Sequence, residues 1–277
     1  MSRLIVQHPA LTDAAVEVFA RTVQRPPDER TPTMARWAQA QLSGEKVAAL
    51  ADAVQVDAEI VRSDLQLSAF RLAAFDMDST LITIECIDEI ADYIGRKAEV
   101  AAITEAAMRG EISDYDESLR QRVALLKGLP ESVLLRVWEE RVRLSPGAQA
   151  LVSGLQRAGL RTLVVSGGFT FFTERLRQHL RLDFARSNHL EIADGMLTGR
   201  LVGPIINAEA KQRVVEQTCG LLGCTPSEAI VVGDGANDLR MMSIAGLSVA
   251  FHAKPVVRDE TSHAINHCGL DAVLNFF

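Results

Sequence analysis

Beyond residue 70 the chain alternates between short apolar runs and longer segments of helical period. The runs cover 72–75, 162–165, 229–232 and 247–251. Near-continuous apolar strands separated by helices, such as 148–158 with its stop at Gly159, predict a parallel sheet covered on both faces. The first three runs each lead into polar residues, and open sheets of this kind bind ligands beyond the carboxyl ends of their strands. Between the first two runs, about 84–144 is too long for a simple crossover and reads as a helical cap over the site. The segment 189–202 reads as a hairpin turning at Asp194-Gly195.

The first ~70 residues follow another pattern on the same period reading. A short strand is predicted at 4–7, then a helix capped by Thr12 and running to about 23. A charged loop with two prolines, 25–30, follows. Helical patterns cover 34–42 and 45–53, and 61–67 reads as a strand. This is a small α/β appendage with no catalytic cluster of its own.

The length of 277 residues allows one large domain with additions, or two domains. A net charge of −7 argues against general nucleic-acid binding, which needs a basic face. It leaves a phosphate substrate open, because a metal ion and one Lys dominate their own surroundings. Cys86, Cys219, Cys224 and Cys268 form no C-x-x-C pair and are expected to be reduced thiols. His263 and His267 have i, i+4 spacing but lack a third zinc ligand, so both are read as packing or surface residues. With no signal-like start and no apolar run near the ~20 residues of a membrane span, a cytoplasmic enzyme is expected.

Chemistry concentrates in four places. Asp76 and Asp78 stand two residues apart at the end of the first run, in Asp76-Met77-Asp78-Ser79-Thr80. Paired carboxylates there repel each other and call for a cation, and a metal-bound Asp is also a nucleophile. Ser166-Gly167-Gly168 follows the second run as a hydroxyl and N–H anion cradle, alone a weak signal because Ser-Gly-Gly is a common turn. Lys211, near a helix start, can neutralise phosphoryl oxygens, although a single helical Lys is usually a surface residue. Gly233-Asp234-Gly235-Ala236-Asn237-Asp238 follows the third run. There Asp234 suits a hard cation, with Asn237 and Asp238 supporting it from behind.

In this order the four pieces resemble the haloacid dehalogenase (HAD) superfamily of phosphotransferases, over about residues 71–277. The resemblance implies a doubly wound parallel-sheet α/β core at 70–83 and 145–277. It also implies a C1-type helical cap at 84–144 and places the appendage at 1–69. It implies that Asp76 attacks phosphorus and is phosphorylated, and that Asp78 is the acid and then the base. Mg²⁺ would be held by Asp76, the Asp78 backbone carbonyl and Asp234, while Ser166, Gly167 and Lys211 bind the transferring oxygens. Asp78 must be protonated when the ester breaks. Its neighbouring carboxylate raises its pKa while a metal opposes that, and the sequence leaves the balance open.

Two cap segments narrow the resemblance to the phosphoserine phosphatases. Thr80 to Glu89 looks like that family's first cap helix, with Glu85 at the substrate-binding acid. Ser118 to Lys127 looks like its second signature, with Arg122 at the substrate-binding Arg. Met108 and Tyr115 fall where the family closes its lid, and Tyr115 departs from the usual Phe. Asn237 joins the implied substrate contacts. Phosphoserine carries an ammonium for Glu85 and a carboxylate for a bidentate Arg122. The blander readings are helix N-terminal charge compensation for Glu85 and an ion pair of Arg122 with Glu117 or Asp116.

The implied substrate is thus O-phospho-L-serine, cleaved in the last step of serine biosynthesis, with no nucleic-acid or membrane partner. Another phosphomonoester, or phosphate transfer to an alcohol, uses the same chemistry. A signalling receiver would store phosphate on Asp76, but it lacks a large cap. In relatives such appendages are often ACT-like modules of βαββαβ order, and this one shows few clear strands. A dimerisation module, giving a homodimer, or a degenerate remnant are the alternatives.

Overall fold

The computed structural model describes residues 2–108, 112 and 114–277. Among them two sheets form. The smaller contains β1 (Ser2–Gln7), β2 (Glu29–Arg30), β3 (Met34–Trp37) and β4 (Asp57–Arg62), in the order β2-β3-β1-β4 with every pairing antiparallel. Helix α1 (Asp13–Val23) and helix α2 (Gly44–Val54) complete a βαββαβ unit. Thr12 caps α1 through its side chain, which accepts from the Ala15 N–H, as its residue type predicts.

The segment 34–42 is not the predicted helix; 34–37 is a strand. Met34, Ala35 and Trp37 are buried against β1, so pairing with a distant strand decides what a short apolar run leaves ambiguous. The last strand lies at 57–62 instead of 61–67. With those changes the scarcity of strands read from the sequence disappears.

The larger sheet is made by β5 (Leu72–Phe75), β6 (Arg161–Phe169), β7 (Phe184–Ala193), β8 (Met196–Val202), β9 (Ala229–Gly233), β10 (Leu247–Phe251) and β11 (His263–Ile265). Their order is β11-β10-β9-β5-β6-β7-β8, parallel except for the β7–β8 hairpin. The hairpin turns where Asp194 and Gly195 take φ of 50° and 73°, the geometry that an Asp-Gly pair supplies. β5, β9 and β10 are buried along their whole length, which explains their lack of alternation.

Among the described residues, four helices fill the long insertion between β5 and β6: α3 (Cys86–Asp92), α4 (Lys97–Met108), α5 (Tyr115–Ala124) and α6 (Ser132–Glu140). The others are α7 (Ala148–Arg157), α8 (Thr170–Leu180), α9 (Ala208–Leu222), α10 (Leu239–Ser243) and α11 (Pro255–Arg258). Thr83 N–H donates to Arg143 O, and Ser145 N–H to Leu81 O, each at 3.0 Å. These bonds tie the two ends of the insertion together. Fully burying side chains such as Phe75 and Phe172 contributes about 1.5–3 kcal/mol each, so the core, not local propensity, fixes these elements.

The small sheet packs between its own helices and the larger body. Leu4, Val6 and Trp37 face α1 and α2, whereas Ile5, Met34 and Val61 join the main core. No helix among the described residues is long and apolar enough to cross a membrane.

Candidate active site

Strand order reverses on either side of β5, between β5 and β9, and the chemistry gathers there. Asp76 directly follows β5, and Asp234 directly follows β9. After Asp76 the chain turns sharply, with Ser79 at φ 55°, so the two acids leave the strand in a tight loop. Thr80 donates to Asp234 Oδ1 at 2.9 Å and joins the two loops. Ser79 donates to Glu85 Oε1 at 2.7 Å. Neither hydroxyl was singled out from the sequence, although both stand in the same five-residue motif as the acids.

A cavity of about 110 Å³ opens at this point. Asp76, Asp78, Ser166, Gly167, Asp234 and Asn237 line its floor and walls, and Glu85, Tyr115 and Arg122 come from the helical insertion. Lys211 lies beneath, 1% exposed, at 3.0 Å from Asp76 Oδ1 and 2.7 Å from Asp238 Oδ1. The sequence places Lys211 near the start of a helix, and α9 begins three residues earlier. Met108 ends α4, and its side chain lies outside the described residues.

Ser166, Gly167 and Gly168 belong to β6 itself and do not follow it as the sequence suggested. The register with β7 breaks between Val165 and Phe169, and this irregularity frees the backbone to face the cavity. Ser166 Oγ accepts from the Gly168 N–H at 2.8 Å. A Cβ on Gly167 would collide with the Tyr115 hydroxyl. One on Gly168 would sit 2.8 Å from Met77 Cε and 3.1 Å from Asp78 Oδ2. A side chain at either position would push aside the end of Tyr115 or of Met77, because the insertion and the acid loop approach so closely.

The electrostatics are strained. Burial, then the Asp238 charge, raise Asp76 well above the usual carboxylate range, while Lys211 opposes them. Burial and the Glu85 charge push Asp78 up to about 8, with Cys86 pulling the other way. Asp234 rises to about 7 through burial and Asp238. Burial works against the Lys211 charge, but Asp238 and Asp76 outweigh it and hold the ammonium. Asp78 Oδ1 is buried without a hydrogen-bond partner.

Carboxylate oxygens of Asp76, Asp234 and Asp238 lie within 4.8 Å of one another. Such an all-oxygen set suits a hard divalent cation. Asp238 gives one oxygen to Lys211 and the other to the Gly235 N–H, so it braces the cluster. The Asp78 carboxylate is not one of the three.

Glu85 is the N-cap of α3, where its charge faces the helix N-terminus, and it makes no side-chain cap bond. Asp116 pairs with Asn207 and Glu117 with Gln121. Among the described residues no carboxylate forms an ion pair with Arg122.

Comparison with known proteins agrees with this arrangement. The profile of the haloacid dehalogenase-like hydrolases matches residues 73–243. A phosphoserine phosphatase of Polaromonas sp. strain JS666 is 61% identical over 219 residues, spanning 78% of this chain and 93% of that protein. The unliganded crystal structure of a probable phosphoserine phosphatase from Vibrio cholerae superposes with a TM-score of 0.85 at 37% identity. It covers 99% of this chain and 85% of its own. A HAD family hydrolase from Salmonella enterica serovar Typhi gives 0.88 at 34% identity, covering 99% of this chain and 98% of its own. The chain belongs to the haloacid dehalogenase-like hydrolases, among the phosphoserine phosphatases of that family.

Proposed function

We propose that the protein hydrolyses O-phospho-L-serine to L-serine and phosphate in a Mg²⁺-dependent reaction, the last step of serine biosynthesis. One observation carries the reading: a single small cavity is lined by Asp76 and Asp78 from the core and by Glu85 and Arg122 from the helical insertion. The first pair serves the phosphate. The second complements the ammonium and carboxylate that distinguish phosphoserine from simpler esters.

In this reading an Asp76 oxygen attacks phosphorus in line as the serine oxygen leaves. Asp78, whose pKa near 8 keeps it protonated at neutral pH, gives its proton to that departing oxygen. The resulting acyl phosphate on Asp76 is hydrolysed by a water whose proton Asp78 takes. Phosphate is released and both acids are restored. Ser166 Oγ, the Gly167 N–H and Lys211 hold the transferring oxygens, and Asn237 stands beside them. Mg²⁺, held by Asp76, Asp234 and the Asp78 carbonyl, would supply positive charge against the phosphate dianion. Asp238 keeps Lys211 in place. Glu85 receives the ammonium, Arg122 forks onto the carboxylate, and Tyr115 covers the substrate. The free state of all four cysteines suits a cytoplasmic enzyme.

Phosphate release from L-phosphoserine, against p-nitrophenyl phosphate and phosphoethanolamine, tests the reading. A strong preference for phosphoserine is expected. Equal or faster turnover of the simple esters would overturn the substrate while leaving the phosphatase chemistry standing.

A further inference from the structure

Helix α5 carries Tyr115 in its first turn and Arg122 two turns later, so its placement sets the substrate half of the cleft. The chain just beyond its far end is stitched to the β7–β8 hairpin by backbone bonds. Gly128 N–H donates to Leu197 O at 2.8 Å, Leu197 N–H to Leu129 O at 2.7 Å, and Glu131 N–H to Gly195 O at 2.9 Å. The near end lacks such a seam. There Asn207 Nδ2 donates to Asp116 Oδ1 at 2.9 Å. Among the described residues this is the one side-chain hydrogen bond between α5 and the core.

Asn207 is well placed for a second role. Its Oδ1 already caps α9 by accepting the Ala210 N–H at 3.0 Å, and its own carbonyl accepts the Lys211 N–H at 2.8 Å. Capping uses only the oxygen, and the amide nitrogen is left to reach the insertion. The preceding residue is anchored too. Ile206 N–H donates to Asn188 Oδ1 at 2.8 Å, and Asn188 Nδ2 donates to Gly167 O at 2.7 Å. Asn188 is 1% exposed, so this link is buried. A hydrogen-bonded line thus runs from the Gly167 cradle through Asn188 and the start of the Lys211 helix to Asp116.

We propose that Asp116 and Asn207 are positioning residues that hold α5 in register with the phosphate-binding half of the cleft, and so set affinity for the amino-acid part of the substrate. This rests on the phosphoserine reading above. Neither residue lines the reacting end of the cavity, so turnover of an ester without an amino-acid group should be indifferent to the pair.

The test exchanges the partners. Asn207→Asp keeps the helix cap but loses the N–H donor and sets two carboxylates face to face. It should raise KM for phosphoserine about tenfold while leaving kcat/KM for p-nitrophenyl phosphate within about twofold. Asp116→Ala should move KM in the same direction. Asp116→Asn combined with Asn207→Asp rebuilds the bond with reversed polarity and should recover most of the loss. Unchanged KM in both single variants, equal losses on both esters, or a double variant no better than Asn207→Asp would each overturn the proposal.

Were the wild-type protein to show no preference for phosphoserine, the substrate reading would fail by itself. The pair is then judged by amide hydrogen exchange over residues 115–124. Exchange that quickens in Asn207→Asp and recovers in the double variant supports it, and unchanged exchange overturns it.

Discussion

Asp57 and Asp76 are both buried carboxylates, 2% and 5% exposed, in opposite surroundings. Asp57, at the start of β4, accepts backbone N–H groups of Asn266 at 2.7 Å, His267 at 3.1 Å and Cys268 at 2.8 Å. Its neighbour Glu59 accepts from Ala264 N–H and bonds His263. These acids spend their charge on donors already in place and pin the small sheet to the end of the chain. Asp76 shares one Lys with Asp238, beside Asp234 and an unpartnered Asp78 oxygen. One region is satisfied and structural. The other is left short of positive charge, the condition in which a site binds a cation and a phosphate.

Removing the acid from each region separates them most sharply. Asp76→Asn should abolish turnover of every phosphomonoester, by about 10⁴-fold or more, because the nucleophile is lost. Its thermal stability without metal should hold or rise, since an uncompensated charge has gone. Phosphate release and a melting curve on one preparation check both, and a residual rate within about tenfold of wild type would remove Asp76 from the nucleophile's role. Asp57→Ala should do the reverse. Three N–H groups, one buried and two partly buried, lose their acceptor, costing about 3 kcal/mol and lowering Tm on the order of 8 °C, with unchanged kcat for the folded fraction.

Arg122→Ala sharpens the comparison inside the cleft. It should raise KM for phosphoserine about a hundredfold while sparing p-nitrophenyl phosphate, because only the carboxylate contact is lost. Equal loss on both esters would remove Arg122 from that role.

The smallest expected effect is a dependence of metal stabilisation on pH. Asp78 and Asp234 titrate near 8 and near 7 in the folded protein, above the ~3.9 of an unfolded Asp. Between these limits the folded state binds more protons. Their contribution to stability is therefore full below about pH 4 and is lost as pH rises through about 7 and 8. Mg²⁺ should accordingly stabilise the fold more at about pH 8.5 than at about pH 6, by an amount on the order of 1–2 kcal/mol, seen as a larger rise in Tm. Melting with chelator and with Mg²⁺ at both pH values measures this, and Asp234→Asn should shrink the difference. A metal-induced shift that is the same at both pH values would speak against cation binding by Asp234.

The sequence by itself determined the candidate reacting groups and their order along the chain. Asp76 and Asp78, Ser166, Lys211 and Asp234 each follow a local cue, an apolar strand or a helix start, and such cues act over a few residues. It also determined the parallel core and the Asp-Gly hairpin for the same reason. Tertiary structure alone decided that 34–37 pairs with β1 as a strand, because its partner lies about thirty residues away. It made Ser166 and Gly167 part of an irregular strand, and it chose Asn207 over Arg122 as the partner of Asp116. It separated Asp57 from Asp76 as well: the donors that satisfy Asp57 stand more than 200 positions away, and no local pattern carries that information. Residue type sets what a side chain can do, but burial and the partners brought to it by the fold decide whether its charge is spent on structure or kept for chemistry.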